Sequence, residues 1–171
     1  MRKRTGHSIA ELGPALFLAF CILVLPLATL ASIGTKFTFM YLATENAARM
    51  AGRCKTFKTD SSAYQTSATT VANQLMNTWK SKFSGLGVNS VKVSILQCDV
   101  NTKKVTKFTN PLTTVDPVNN VYSINVEVNG DVEPLYRGGG GWFGNVPGLS
   151  APFPVRVSCS AAAENPSGLT K

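Results

Sequence analysis

The sequence predicts an α+β protein: a long N-terminal helix that is transmembrane first and amphipathic after, a second helix, and an antiparallel sheet of about three strands. Three observations lead there. From Ile9 to Ile33 the only ionisable side chains are Glu11 and Cys21. That run of about 25 residues exceeds the roughly 20 that cross a bilayer as a helix. Beyond it, apolar residues recur at helical spacing in two separate stretches, and the second half of the chain alternates apolar and polar residues in the two-residue period of half-buried strands.

The chain opens on Met1-Arg-Lys-Arg-Thr-Gly6, a basic leader, residues 1–6, that ends in a glycine. Residues 7–34 form the expected transmembrane helix, because lipid offers the backbone no hydrogen-bond partner and forces internal pairing. A cleaved secretory signal has an apolar core of only about 7–15 residues; this run is longer, although Ala28-Thr-Leu-Ala31-Ser32 has the small residues of a cleavage site. Arg2, Lys3 and Arg4 precede the span and only Lys36 closely follows it. The positive-inside rule therefore sets the N-terminus in the cytoplasm and residues 35–171 outside it, as an extracytoplasmic α+β head. Pro14 and Pro26 each remove one backbone donor and are expected to bend the helix.

After Gly34 the pattern turns amphipathic. Phe37, Met40, Tyr41, Thr44, Ala47, Ala48, Ala51 and Cys54 carry the helix on to about Cys54. A rod of that length is about 70 Å at 1.5 Å per residue. The small residues Ala47, Ala48, Ala51 and Gly52 suit close helix packing, either within the chain or between subunits. A loop over residues 56–60 leads to the second helix, with Asp60, Ser61 and Ser62 as candidate N-caps. Its stripe of Tyr64, Ala68, Val71, Ala72, Leu75, Trp79 and Phe83 faces a core, and Ser84-Gly-Leu-Gly87 ends it. Val91, Val93 and Ile95, then Tyr122, Ile124, Val126 and Val128, then Val155, Val157, Cys159 and Ala161 mark three strands. The residues between them, among them Asn125 and Glu127, point the other way, and the helices cover the buried face.

The chemistry of several function classes is missing. His7, the single histidine, lies beside the membrane run and cannot orient a nucleophile in the head. No nucleotide, zinc-protease, calcium or hydrolase motif appears, so an enzyme is not expected and no cofactor is called for. The net charge is +8, but the basic residues are scattered apart from Lys103, Lys104 and Lys107. That cluster reads as a solvated loop, or as a contact for anionic surfaces or DNA; stacking aromatics are not interleaved with it, so nucleic acid is not favoured. The glycine-rich stretch from Arg137 to Gly144 is no phosphate loop, since no Gly-Lys-Ser/Thr follows. It is a surface loop, or a tip on which Trp142 and Phe143 dock to a neighbour or a membrane.

Of the four cysteines, Cys21 lies in the apolar run. Cys54, Cys98 and Cys159 lie in a compartment expected to be oxidising, where they allow one internal bridge. Strand alternation and helical spacing put Cys159 and Cys54 on buried faces, which favours Cys54–Cys159 over Cys54–Cys98 or Cys98–Cys159. No Cys-x-x-Cys or Cys/His spacing suggests a metal.

The glycine, the polar His7-Ser8 pair and the carboxylate of Glu11 at the head of an apolar run resemble the signal of type IV pilins and pseudopilins. The resemblance implies a prepilin peptidase that cuts between Gly6 and His7, and a Glu11 kept at the fifth mature position to meet the free N-terminus of a neighbouring subunit. An ammonium and a carboxylate that are both poorly solvated in lipid gain by pairing. The segment Asn46-Ala47-Ala48-Arg49, followed by Arg53, resembles the motif of TadE-like proteins of the tight-adherence (Flp) pilus system. That family's order of long helix, shorter helix and strands matches the order read here. What it implies is a minor pseudopilin in the inner membrane or a pilus, with other pilins, the assembly machinery and membrane lipid as partners.

Overall fold

The computed structural model describes residues 7–60, 66–135 and 151–171, the side chains of 7–11 excepted. The fold is α+β with a long N-terminal helix, as the sequence predicts. Helix α1 runs His7–Gly52 without a break and contains both Pro14 and Pro26. Its 46 residues make a rod of about 69 Å. Helix α2 is Ala68–Lys82. The sheet has four antiparallel strands, β1 (Leu86–Asp99), β2 (Val105–Phe108), β3 (Asn120–Val132) and β4 (Phe153–Ala162), in the order β2-β1-β3-β4. A 3-10 turn, Pro166–Thr170, ends the described chain.

Both helices lie on one face of the sheet, α1 across β3 and β4, α2 across β1, with the helices touching each other. Alanines at 43, 47, 48 and 51 let α1 approach closely, and all four are buried beside Ile124, Val126 and Val128 of β3. Two contacts fix the helix's direction. Lys36 Nζ donates to the Glu133 carbonyl at 2.7 Å, and the Glu164 N–H donates to the Gly52 carbonyl at 2.9 Å. So α1 runs antiparallel to β3, with Lys36 at the end where the apolar stretch begins and Gly52 at the far end. A Cβ at Gly52 would sit 2.5 Å from the Ala162 carbonyl oxygen. The small residues around it therefore serve packing within the chain. The helix stops two residues short of the expected end, and the Arg53 and Cys54 N–H groups turn back to Met50 and Ala51 carbonyls.

Three details correct the sequence reading. First, α2 begins at Ala68, with Ser67 as its N-cap, its Oγ accepting the Thr70 N–H at 3.4 Å. Asp60 supports that cap from seven residues upstream, accepting the Ser67 N–H at 2.8 Å and the Thr70 hydroxyl at 2.9 Å; Ser61, Ser62 and Tyr64 lie outside the described residues. Second, the basic cluster adjoins a fourth strand. Lys103 occupies the left-handed region at φ 55 in the β1–β2 turn, and Lys107 lies in β2 itself. Third, Asn125 and Glu127 do point away from the helices, yet only 7% and 5% of their surface is exposed.

The 3-10 turn plugs the end of the head remote from Lys36. The Phe57 and Lys58 N–H groups donate to the Lys171 oxygen at 2.9 and 3.0 Å, and Leu112 N–H to Leu169 O at 2.9 Å. Phe57 and Leu169 are buried there. Gly168 passes so close to the Lys55 carbonyl that no side chain fits between them.

Candidate functional site

The residues singled out from the sequence fall in three places. At the N-terminus, Gly6 lies outside the described residues; His7 and Glu11 lie in α1, with side chains outside the description. From Leu12 to Leu30 the helix has almost no partner among the described residues: Leu16 is 62% exposed and Phe17 70%. Such a helix is long and apolar enough to cross a membrane. The same helix, one turn past Gly34, becomes the spine of the head, with Met40, Ala43, Thr44, Ala47, Ala48 and Ala51 buried.

The second place is the outward stripe of that spine. Asn46, Arg49 and Arg53 are exposed, as are Phe37, Tyr41, Leu42 and Met50. Arg49 pairs with Glu45 one turn earlier, and Arg53 reaches Glu164 at 3.4 Å. Ala47 and Ala48 face the sheet. The motif therefore divides into a packing half and a solvent-facing, charge-paired half.

The third is the thiols. Cys54, Cys98 and Cys159 are all free, so the expected bridge is not formed. Cys98 stands opposite Val121 and Cys159 opposite Val126, on the two strands that flank β3. Two strand spacings and five residues separate their Cα atoms by about 19 Å, against the roughly 7 Å that a bridge tolerates. The favoured partner, Cys54, turns its Sγ back toward the Met50 carbonyl at 3.4 Å. Cys159 is buried three residues, about 10 Å, back along β4 from Ala162, the residue that meets the end of α1 at Gly52. Burial raises the pKa of both Cys54 and Cys159, and Glu45 adds to the effect at Cys159.

A feature not legible in the sequence lies on the outer face of the sheet. Glu127 accepts from Arg156 Nη2 at 2.8 Å and from Lys107 Nζ at 3.3 Å. The Arg156 hydrogen bond, with Lys107 and both charges behind it, holds the carboxyl below its ordinary pKa against the opposing effect of burial. Beside it Ser158 Oγ donates to Asn125 Oδ1 at 2.8 Å, and Asn125 Nδ2 donates to Ser94 Oγ at 3.4 Å. Only β2 brings Lys107 within reach, so the cluster required the missed strand. The arrangement ties strands together; it carries no unsatisfied group with which to do chemistry.

Two clefts are lined by described residues of the head. One, of about 440 Å³, lies where α1 enters the head and is lined by Lys36 and Phe39 of α1 and by Lys82, Phe83 and Leu86. The other, of about 270 Å³, lies among Gln97, Phe108, Leu112, Asp116 and Tyr122. Among the described residues no three His, Cys, Asp or Glu side chains gather as metal ligands. Trp142 and Phe143 lie outside the described residues. No family model, curated protein or solved structure matches the chain.

Proposed function

We propose that the chain is a pilin-like, TadE-like minor pseudopilin that takes part in assembling a tight-adherence or type IV-like pilus or secretion apparatus. In this reading a prepilin peptidase cuts between Gly6 and His7. The subunit rests in the inner membrane as a single pass, N-terminus inside and head outside, and Glu11 meets the new N-terminus of a neighbouring subunit. Its role is structural rather than catalytic.

One observation supports this reading above the others. A single unbroken helix is bare and apolar for its first half and forms the core of an α+β head with its second. A subunit that is held in lipid and then transferred into an assembly needs that division, because the bare half can exchange lipid for equivalent helices of its neighbours. Gly6, Glu11 and the Asn46–Arg49 segment supply the resemblance to the family. Intact mass of the purified protein is the test. A mature chain beginning at His7 is expected. A chain that keeps Arg2–Arg4 would instead indicate an uncleaved envelope anchor whose head binds a ligand or partner, and one beginning near Ser32 a secreted head; either result overturns the proposal.

A further inference from the structure

The cleft at the foot of the head has the chemistry of an anion site placed at a definite depth. Its walls come from α1 (Ser32, Thr35, Lys36, Phe39) and from the segment that ends α2 and begins β1 (Lys82, Phe83, Ser84, Leu86). Ile33 is the last residue of the apolar run, and Lys36 follows three residues, about 4.5 Å, further out. If α1 spans a bilayer, the cleft lies at the level of the phospholipid headgroups. Its volume of about 440 Å³ is within the range of small-ligand sites, roughly 300–1,000 Å³.

The Lys36 ammonium is held there by the fold. It uses one N–H on the Glu133 carbonyl at 2.7 Å, which leaves two. It rests over Gly85, a residue at φ +82, where a Cβ would approach Nζ to 2.8 Å. Lys82, in the last turn of α2, supplies the second positive charge; among the described residues none of those lining the cleft is a carboxylate, and Glu133 stands beside it next to Gly85. The floor is aromatic: Phe39 stacks on Phe83 with ring centroids 5.0 Å apart, and Phe83 on Trp79 at the same distance. The surroundings at this end are also those of a bilayer surface. Phe37 and Tyr41 are exposed on α1 in the position of an interfacial aromatic belt. Leu135, 64% exposed, and Phe153, 44% exposed, stand at the ends of β3 and β4 that the Lys36–Glu133 contact brings to the same level.

We propose that this cleft binds the phosphate of an anionic phospholipid, with Lys36 and Lys82 as its cationic arms, and that it seats the head on the outer leaflet. The inference rests on α1 being a membrane span. A juxtamembrane lysine contributes to anionic-lipid attraction by about fivefold in affinity.

The full chain, purified in mild detergent, is given equimolar phosphatidylglycerol and phosphatidylcholine, and retained lipid is counted by native mass spectrometry. Wild type is expected to retain phosphatidylglycerol several-fold over phosphatidylcholine. Lys36→Gln with Lys82→Gln should bring the ratio to about one, while Lys103→Gln with Lys104→Gln, in the turn at the other end of the head, should leave it unchanged. A preference that survives the first pair, or is absent from wild type, overturns the proposal. So does displacement of the lipid by millimolar inorganic phosphate, which would make the cleft a site for free anions. Flotation with vesicles separates this from the underlying reading. A chain that floats with pure phosphatidylcholine but lacks headgroup preference is anchored without using the cleft; a chain that floats with no vesicle is not anchored at all.

Discussion

Glu127 shows how much one side chain can depend on strands far apart in sequence. Its carboxylate is buried between Arg156 and Lys107, which are themselves largely solvent-facing. Removing Arg156 leaves a covered charge with one weaker partner. Arg156→Ala should therefore cost about 1–2 kcal/mol, discounted for the exposure of the arginine, and Lys107→Ala less. The pH dependence has a definite sign. The folded pKa of Glu127 lies below its unfolded value, so its contribution is present above about pH 4.5 and fades as pH falls through the folded pKa. Urea midpoints of the full chain in detergent between pH 6 and 3 should show a shallower acid loss in Glu127→Gln than in wild type; parallel curves would remove Glu127 from the account. Glycines give a second contrast. Gly168→Ala must push the C-terminal turn off the Lys55 carbonyl and should cost at least about 1–3 kcal/mol. Gly34→Ala meets nothing within 4 Å and should stabilise helix α1 by about 0.5–1 kcal/mol. Thermal melts that rank the two the other way would contradict the packing described.

Among the elements, α2 tests local against distant causes. Ser61 and Ser62 look as good as Ser67 to a reader of the sequence, because capping preference depends on residue type alone. Asp60 decides the matter through its bonds to Ser67 and Thr70, a contact across a loop. Ser67→Ala should lower stability by about 1 kcal/mol, and hydrogen exchange should show the first turn of α2 opening sooner; unchanged protection there would mean that the cap lies elsewhere. Strands β1, β3 and β4 were legible because each keeps its alternation over at least six residues. β2 was not, since Val105-Thr-Lys-Phe108 is too short to show a period, and it pairs only because the Asp99–Lys104 turn folds it back onto β1. The turn of Pro166–Thr170 was missed for a similar reason. Its hydrogen bonds run to Phe57, Lys58 and Leu112, and no local pattern marks them. The Lys36–Lys82 cleft is likewise invisible in one dimension: two lysines 46 positions apart share a wall only after α2 has packed on α1.

For the whole molecule the question is whether Glu11 serves an assembly or merely burdens an anchor. In a simple anchor Glu11→Ala should be neutral or should aid insertion, by removing a carboxylate from lipid. In the proposed pseudopilin, cleavage and insertion should survive while the processed subunit stays in the membrane fraction, because the neighbouring N-terminus has lost its counter-charge. Following wild type, Glu11→Asp and Glu11→Ala through membrane and sheared-pilus fractions distinguishes the two, and normal assembly with alanine would exclude a register-setting role. The N-terminal resemblance was carried by sequence alone; the packing of Ala47, Ala48 and Gly52 within one chain needed the fold.

The docking of α1 on the sheet, antiparallel to β3 and parallel to β4, also sets a timetable. Gly52 rests on Ala162, so the two faces of that contact are synthesised 110 residues apart. At roughly 5–20 residues per second, several seconds to about twenty separate their appearance. During that interval the alanine-lined side of the helix is covered only in part, by α2 and then by β3, and the flank that β4 will cover stays open. The head cannot close in stages from its beginning, since β4 and the turn that plugs the far end follow all the other described elements of the head. Premature arrest of synthesis anywhere before Phe153 would leave helix α1 with an open, adhesive flank, and such fragments should be degraded far faster than the full 171-residue chain.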